Sequence, residues 1–312
     1  MTITVTGGIT FSGGLTFAPG SGGGGGGTTK AIFGYGTAAG ITIVSLTNLV
    51  SNTGVVAGDT TGVGTARTQL SAATYGSDKA IFGYGSGPTA ITNLVSNTGV
   101  VAGDTTGVGT ARFYLAAAGY GTDKAIFGYG SIGGSEVSVT NKVSNAGVVA
   151  TDTTGVGTTR ERLAAAGYGT DKAIFGYGVG ASVTAVTNKV SNTGVVATDT
   201  TGVGTARFAL AAAGYGTDKA IFGYGQTPVT AITNLVSNTG VVATDTTGVG
   251  TAKRSLAAAG YGTDKAIFGY GSDGSSQVST TNLVSNTGVV ATDTTGVGTA
   301  RQDLAAAGYS TT

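Results

Sequence analysis

Three strings recur six times along this 312-residue chain, so whatever it folds into is assembled from that unit. KAIFGYG begins at Lys30, Lys79, Lys124, Lys172, Lys219 and Lys265, at spacings of 45 to 49 residues. TNLVSNTGVV or a close variant begins at Thr47, Thr92, Thr140, Thr187, Thr233 and Thr281. DTTGVGTAR or a close variant begins at Asp59, Asp104, Asp152, Asp199, Asp245 and Asp293, and two residues after it comes a version of LAAAGYG.

A period in the mid-forties suits either propeller blades or pairs of helices. The composition of the unit decides between them. Gly, Thr, Val, Ile, Phe and Tyr dominate, and GYGTD, SNTG or DTTG breaks the chain every eight to ten residues. No segment keeps the i, i+3, i+4, i+7 apolar spacing of a helix, whereas short apolar runs between turn residues suit strands. Within KAIFGYG the alternation predicts Ala31, Phe33 and Tyr35 on one side and Ile32 on the other. Four strands per unit follow: LAAAGYG, KAIFGYG, TNLVSN and GVVAT, with SNTG as the tight turn between the last two.

The phase of the repeat predicts how the ends meet. The array opens at Lys30 on its second strand and ends at 304–310 on its first. Pairing 304–310 beside 30–36 would complete the first unit from both termini and remove the open edges of an unclosed array. An open solenoid would instead carry atypical caps. The expected fold is all-β: a six-bladed β-propeller of four-stranded blades, closed by the C-terminal strand pairing in the first blade. Residues 30–312 form it, preceded by a β-prone peptide (1–19) and a linker (20–29) that contains six consecutive glycines.

The unit resembles the kelch type of propeller repeat. Arg112, Leu115–Gly121, Lys124–Gly130 and Thr140–Val149 follow that order across one period. Gly128-Tyr129-Gly130 stands where kelch repeats carry paired glycines, and Val148 and Val149 stand near the place of their fourth-strand Trp. KAIFGYG arrays, and openings like MTITVTGGITF, are also similar to those of structural proteins of tailed phages, particularly marine and cyanobacterial ones. That resemblance implies a virion component, either a head decoration or a tail or fibre protein, exposed outside the cell once assembled. It would attach to other virion proteins through residues 1–29, whose alternating peptide suits strand addition to a partner's sheet.

Two places differ strongly between copies. One is the loop after each KAIFGYG: 37–46, 86–91, 131–139, 179–186, 226–232 and 272–280. The other is the pair of residues just before each LAAAGYG, including Phe113-Tyr114, Glu161-Arg162, Phe208-Ala209 and Arg254-Ser255. In an antiparallel meander both emerge on one face, and loops on a rigid scaffold are where recognition resides. Phe113, Tyr114, Glu161, Arg162, Phe208 and Arg254 are therefore the candidate contacts. A host-surface glycan or receptor is the alternative partner, bound in an adhesin- or lectin-like manner.

Chemistry finds little to work with. The chain has no Cys and no His, which removes thiolate nucleophiles, imidazole bases and the common zinc ligands. Its net charge of +1 does not suit nucleic acid. Met1 to Phe17 has neither the basic start nor the unbroken apolar core of a signal peptide, and no run is long enough to span a bilayer. No glycine string has phosphate-loop spacing ahead of a helix. Glu occurs only at Glu136 and Glu161, so no acid–base pair is expected, and neither catalysis nor a cofactor nor a metal. One polar motif does repeat, predicting a structural ion pair or turn cap in each unit: Asp59/Arg67, Asp104/Arg112, Asp152/Arg160, Asp199/Arg207, Asp245/Lys253 and Asp293/Arg301.

Overall fold

A computed structural model describes residues 28–311. The N-terminal peptide 1–19 and linker residues 20–27 lie outside the described residues. The structure is all-β, built mostly of small antiparallel sheets of three strands. Six of these sheets share one pattern. In each, KAIFG is the middle strand, flanked by the Ala-rich strand on one side and by TNLV or TNKV on the other. Ala116–Tyr120, Lys124–Gly128 and Thr140–Val143 make one such sheet. The sheet containing Lys30–Gly34 and Thr47–Val50 takes its Ala-rich strand from the other end of the chain, Ala305–Tyr309, with Lys30 opposite Tyr309 and Gly34 opposite Ala305.

KAIFG is the middle strand because both its faces are apolar and both are covered. Ala31 and Phe33 pack in one cluster with Ile267 and Tyr270, while Ile32 packs in another with Ala80 and Phe82. The strand is thus sandwiched between neighbouring sheets, and Ala31, Ile32 and Phe33 are fully buried. Tyr35 departs from the predicted alternation. It lies beyond the strand at φ 64°, joins the cluster of Ile32, and stacks its ring 5.1 Å from Phe82. The left-handed residue reverses the side expected of an extended chain. All six tyrosines at this position have φ of 63–64°.

Glycine before that tyrosine is dictated by the next sheet. A Cβ on Gly128 would lie 2.8 Å from Cζ of Phe175, and Gly269 stands in the same relation to Phe33, so the series returns to its start.

The expected fourth strand does not form as a regular strand. The outer segment that begins with GVVAT meets its neighbour at isolated bridges, Val50–Val56 and Thr47–Thr60 in the first sheet, and Ala57 N donates to Leu49 O between them. Three steps along TNLV match four along the outer segment, so the outer segment carries one extra residue, a β-bulge. The Asn48 side chain enters the gap and donates to the Ala57 carbonyl at 3.0 Å. The second valine of each pair packs inward (Val101, Val149), and the first stays exposed (Val100, Val148).

Backbone hydrogen bonds link the six sheets in series and come back to the beginning. At one end of the strands Tyr114 N donates to Gln69 O, Arg162 to Tyr114, Ala209 to Arg162, Ser255 to Ala209, Asp303 to Ser255 and Gln69 to Asp303, all at 2.8–2.9 Å. At the other end Gly76 donates to Asp123 O, and the series runs through Gly121, Gly169 and Gly216 to Gly262, which donates to Thr29 O. Ser310 then donates to Asp78 O. Thr29 and Ser310 thus stand in the break of the first sheet where the other sheets have Asp and Gly. Thr28 and Ser310 are buried there.

Gly176→Ala is expected to cost about 1–3 kcal/mol, because its methyl would overlap the Phe222 ring. Denaturant unfolding measures this, and a change below about 0.5 kcal/mol, the size of ordinary surface substitutions, would refute the packing account.

Candidate functional site

The buried polar contacts between sheets pair their charges differently from the sequence expectation. The ion pairs expected within a sequence unit, Asp59/Arg67 and its equivalents, do not form. Asp59 lies 3.9 Å from Arg301, Asp104 3.8 Å from Arg67, and Asp199 3.9 Å from Arg160. Asp152, Asp245 and Asp293 face Arg112, Arg207 and Lys253 in the same sense, at longer range. The physical reason is that DTTGVGTAR crosses between sheets. Its Asp closes one sheet and its Arg opens the next, so each Asp meets the basic residue that began its own sheet.

Each arginine is buried and fully engaged. Arg160 is 0% exposed; its Nε donates to Tyr177 O at 2.9 Å and its guanidinium to Asn188 Oδ1 at 2.5 Å and Thr158 O at 3.0 Å. Its guanidinium also sits 4.5 Å above the ring of Tyr129 in the preceding sheet, a cation–π contact. The Tyr129 hydroxyl donates to Val156 O, and burial pushes its pKa up to about 12 against the pull of Arg160. Asn188 Nδ2 donates to Asp199 at 2.8 Å, and Asp199 accepts Thr158 N and Oγ1. Asp59 likewise accepts Thr299 N and Oγ1, so the two ends of the chain are fastened by the same contacts that join adjacent repeats.

The variable positions gather at the opposite end from Thr28 and Ser310. Gln69, Tyr114, Arg162, Ala209, Ser255 and Asp303, one per sheet, line a cavity of about 70 Å³ together with the leucine that follows each. Five of the predicted contacts lie together here. The Phe113 and Tyr114 rings meet at 5.3 Å, the Arg162 guanidinium is 3.9 Å over Tyr114 and 5.9 Å from Phe208, and Arg162 Nε reaches Glu161 at 3.3 Å. Arg254 is engaged separately, donating to Gln226 Oε1 at 2.7 Å. All six are half-buried. Asp303 belongs to the sixth variable pair, Gln302-Asp303, and joins this group although it is not among the candidate contacts. Burial raises its pKa, opposed by a Ser255 hydrogen bond and by Arg162 and Arg254. Burial also pushes Tyr114 up to about 12, with Asp303 adding to the effect and Arg162 opposing it.

The mouth presents the Arg162 guanidinium, already stacked on Tyr114, and the Asp303 carboxyl as its hydrogen-bonding groups. Among the described residues no three His, Cys, Asp or Glu side chains come together to hold a metal ion. No family model matches the chain, and no curated protein matches it in sequence.

Arg301→Ala and Arg160→Ala are each expected to lose about 3–5 kcal/mol of stability, since both strand a buried asparagine and a tyrosine carbonyl. A much smaller loss for Arg301, measured by denaturant unfolding, would mean that the sheet built from both termini bears less load. Burial raises the pKa values of Asp59, Asp104, Asp152, Asp199, Asp245 and Asp293, but hydrogen bonds from Thr and Asn outweigh it and hold all six below the ordinary value. A lowered folded value stabilises above the unfolded pKa and is lost as pH falls through the folded one. The melting temperature should therefore hold from neutrality to about pH 4 and fall steeply below it. A flat profile down to about pH 2 would contradict this.

Proposed function

We propose that the chain is a six-bladed, kelch-like β-propeller and a non-enzymatic display component of a tailed-phage particle, fixed to other virion proteins through residues 1–29. The observation that carries the reading is the separation of the two ends. Thr28 lies at the uniform end of the sheets, where GYGTD turns barely differ, while the variable pairs and loops converge on the other end. Attachment through the N-terminal segment would therefore leave the variable face pointing away from the particle. Closure of the propeller is supported by the pairing of 305–309 with 30–34 and by the returning series of backbone hydrogen bonds.

The cluster of Phe113, Tyr114, Arg162 and Phe208 favours a second reading of the outward face, as a receptor- or glycan-binding surface. Half-buried aromatics beside a cation offer a stacking platform with a polar handle, which a purely solvated loop does not need.

Incubation with purified particles followed by sedimentation tests the attachment. The full chain is expected to pellet with the particles and a 28–312 fragment to stay in solution. Equal pelleting of both would remove the anchoring role. A Tyr114→Ala, Phe208→Ala double variant should pellet like the full chain.

A further inference from the structure

Five of the six sheets bury an arginine against their asparagine, and the sixth buries a lysine. Lys253 and Asn282 are each 0% exposed, with Nζ 2.7 Å from Oδ1 of the amide. Thr280 holds the same nitrogen through its carbonyl at 3.3 Å and its hydroxyl at 3.4 Å. The amide nitrogen of Asn282 donates to Asp293 Oδ1 at 2.8 Å and to Ala291 O at 3.1 Å. A primary amine and a primary amide are thus held in one buried corner, with the Asp293 carboxylate at its exposed edge. Arginine at this position cannot react, because its guanidinium stays protonated. A lysine can, because amines become nucleophiles once burial removes their proton.

We propose that Lys253 and Asn282 join in an intramolecular isopeptide bond, with Asp293 carrying the proton. The neutral amine of Lys253 adds to Cγ of Asn282, forming a C–N bond and moving the carbonyl electron pair onto Oδ1. The proton shed by Nζ passes to the Asp293 carboxylate and from there to Nδ2. The pair on Oδ1 re-forms the carbonyl, the Cγ–Nδ2 bond breaks, ammonia leaves, and Asp293 is again a carboxylate. An amine and a primary amide become a secondary amide and ammonia, with no change of oxidation state and no outside reagent.

The surroundings favour each part of this. Burial pushes the Lys253 amine down to about 8, opposed by Asp293, so about a tenth is neutral at pH 7. The other titratable group against it is Tyr224, whose ring lies 5.3 Å away and whose hydroxyl burial keeps protonated. Asp293 is exposed, so ammonia released beside it reaches solvent. The bond would tie the segment entering the last-but-one Ala-rich strand, Ala257–Tyr261, to the third strand of its own sheet, Thr281–Val284.

The test is the intact mass of the full folded chain after incubation at about pH 8, where half the amine is neutral. It is expected to fall short of the sequence mass by one ammonia, and protease digestion should yield one branched peptide joining Lys253 to Asn282. Lys253→Arg reproduces the residue of the other five sheets, so it should fold and keep the full sequence mass. Asp293→Asn, with folding checked by circular dichroism, is expected to keep the full mass as well. A wild-type chain at full sequence mass overturns the proposal, as does an ammonia loss that persists in Lys253→Arg. Cross-linking that survives Asp293→Asn would overturn the role of that carboxylate.

Discussion

A buried guanidinium is the interaction on which the remaining structure depends. An unpaired charge inside a protein is strongly unfavourable, so burying an arginine at 0% exposure requires that every donor be met. Here the partners come from three directions. A tyrosine carbonyl and an asparagine side chain belong to the arginine's own sheet, and the tyrosine ring beneath it belongs to the sheet before. Satisfying the charge therefore fixes both the internal register of a sheet and its docking on its neighbour. Among the described residues no buried side-chain donor or acceptor lacks a partner, which is the condition for such a polar network to rigidify rather than weaken the structure.

Around each guanidinium the apolar parts interlock by size. The phenylalanine of one KAIFG strand presses on the glycine of the preceding one, and the tyrosine that follows this glycine stacks against that same phenylalanine. Side chain and absent side chain are complementary across every junction, including that of Phe33 with Gly269 and Tyr270. This accounts for the near-identity of the KAIFGYG copies better than strand propensity does, since a change in one must be answered in its neighbour. The outer segment is free of this constraint. There the asparagine side chain replaces a ladder bond, and one valine of each pair faces solvent.

The parts legible in the sequence are those that local pattern controls. Short strands between Gly- and Asn-containing turns, the middle position of KAIFG, and the pairing of 305–309 with 30–34 follow from punctuation and from the phase of the repeat. Three features did not follow, each for a physical reason. Tyr35 breaks the period of two because its positive φ lies outside extended geometry, and a non-glycine residue gives no warning of that. The bulge in GVVAT arises from Asn48, a residue of the neighbouring strand. The strings recur together and suggest ion pairs eight residues apart, yet Asp199 meets Arg160 across a whole sheet, and Asp59 meets Arg301 across the chain. A repeat read along the sequence has no natural starting point, and only the fold reveals where one sheet ends. At the variable face, the convergence of Phe113, Tyr114, Arg162 and Phe208 was legible from chain direction alone, whereas the part of Asp303 depends on proximity across the cavity.

The mouth of that cavity combines variation with rigidity in a way that a flexible loop could not. Gln69, Tyr114, Arg162, Ala209, Ser255 and Asp303 share no chemistry, yet their φ values all fall between 51° and 59°. Left-handed geometry costs about 1 kcal/mol or more for a residue with a Cβ, so six unlike side chains would not adopt it unaided. The backbone imposes it: each of these residues donates to the carbonyl of the one before, and the last returns to the first. Because the main chain alone carries the geometry, the identity of the side chain is left open at all six positions. An aromatic, a cation, an anion, an amide, a hydroxyl and a methyl then occupy equivalent places on one rigid frame, and substitution at any of them changes what the mouth presents without disturbing the backbone that presents it.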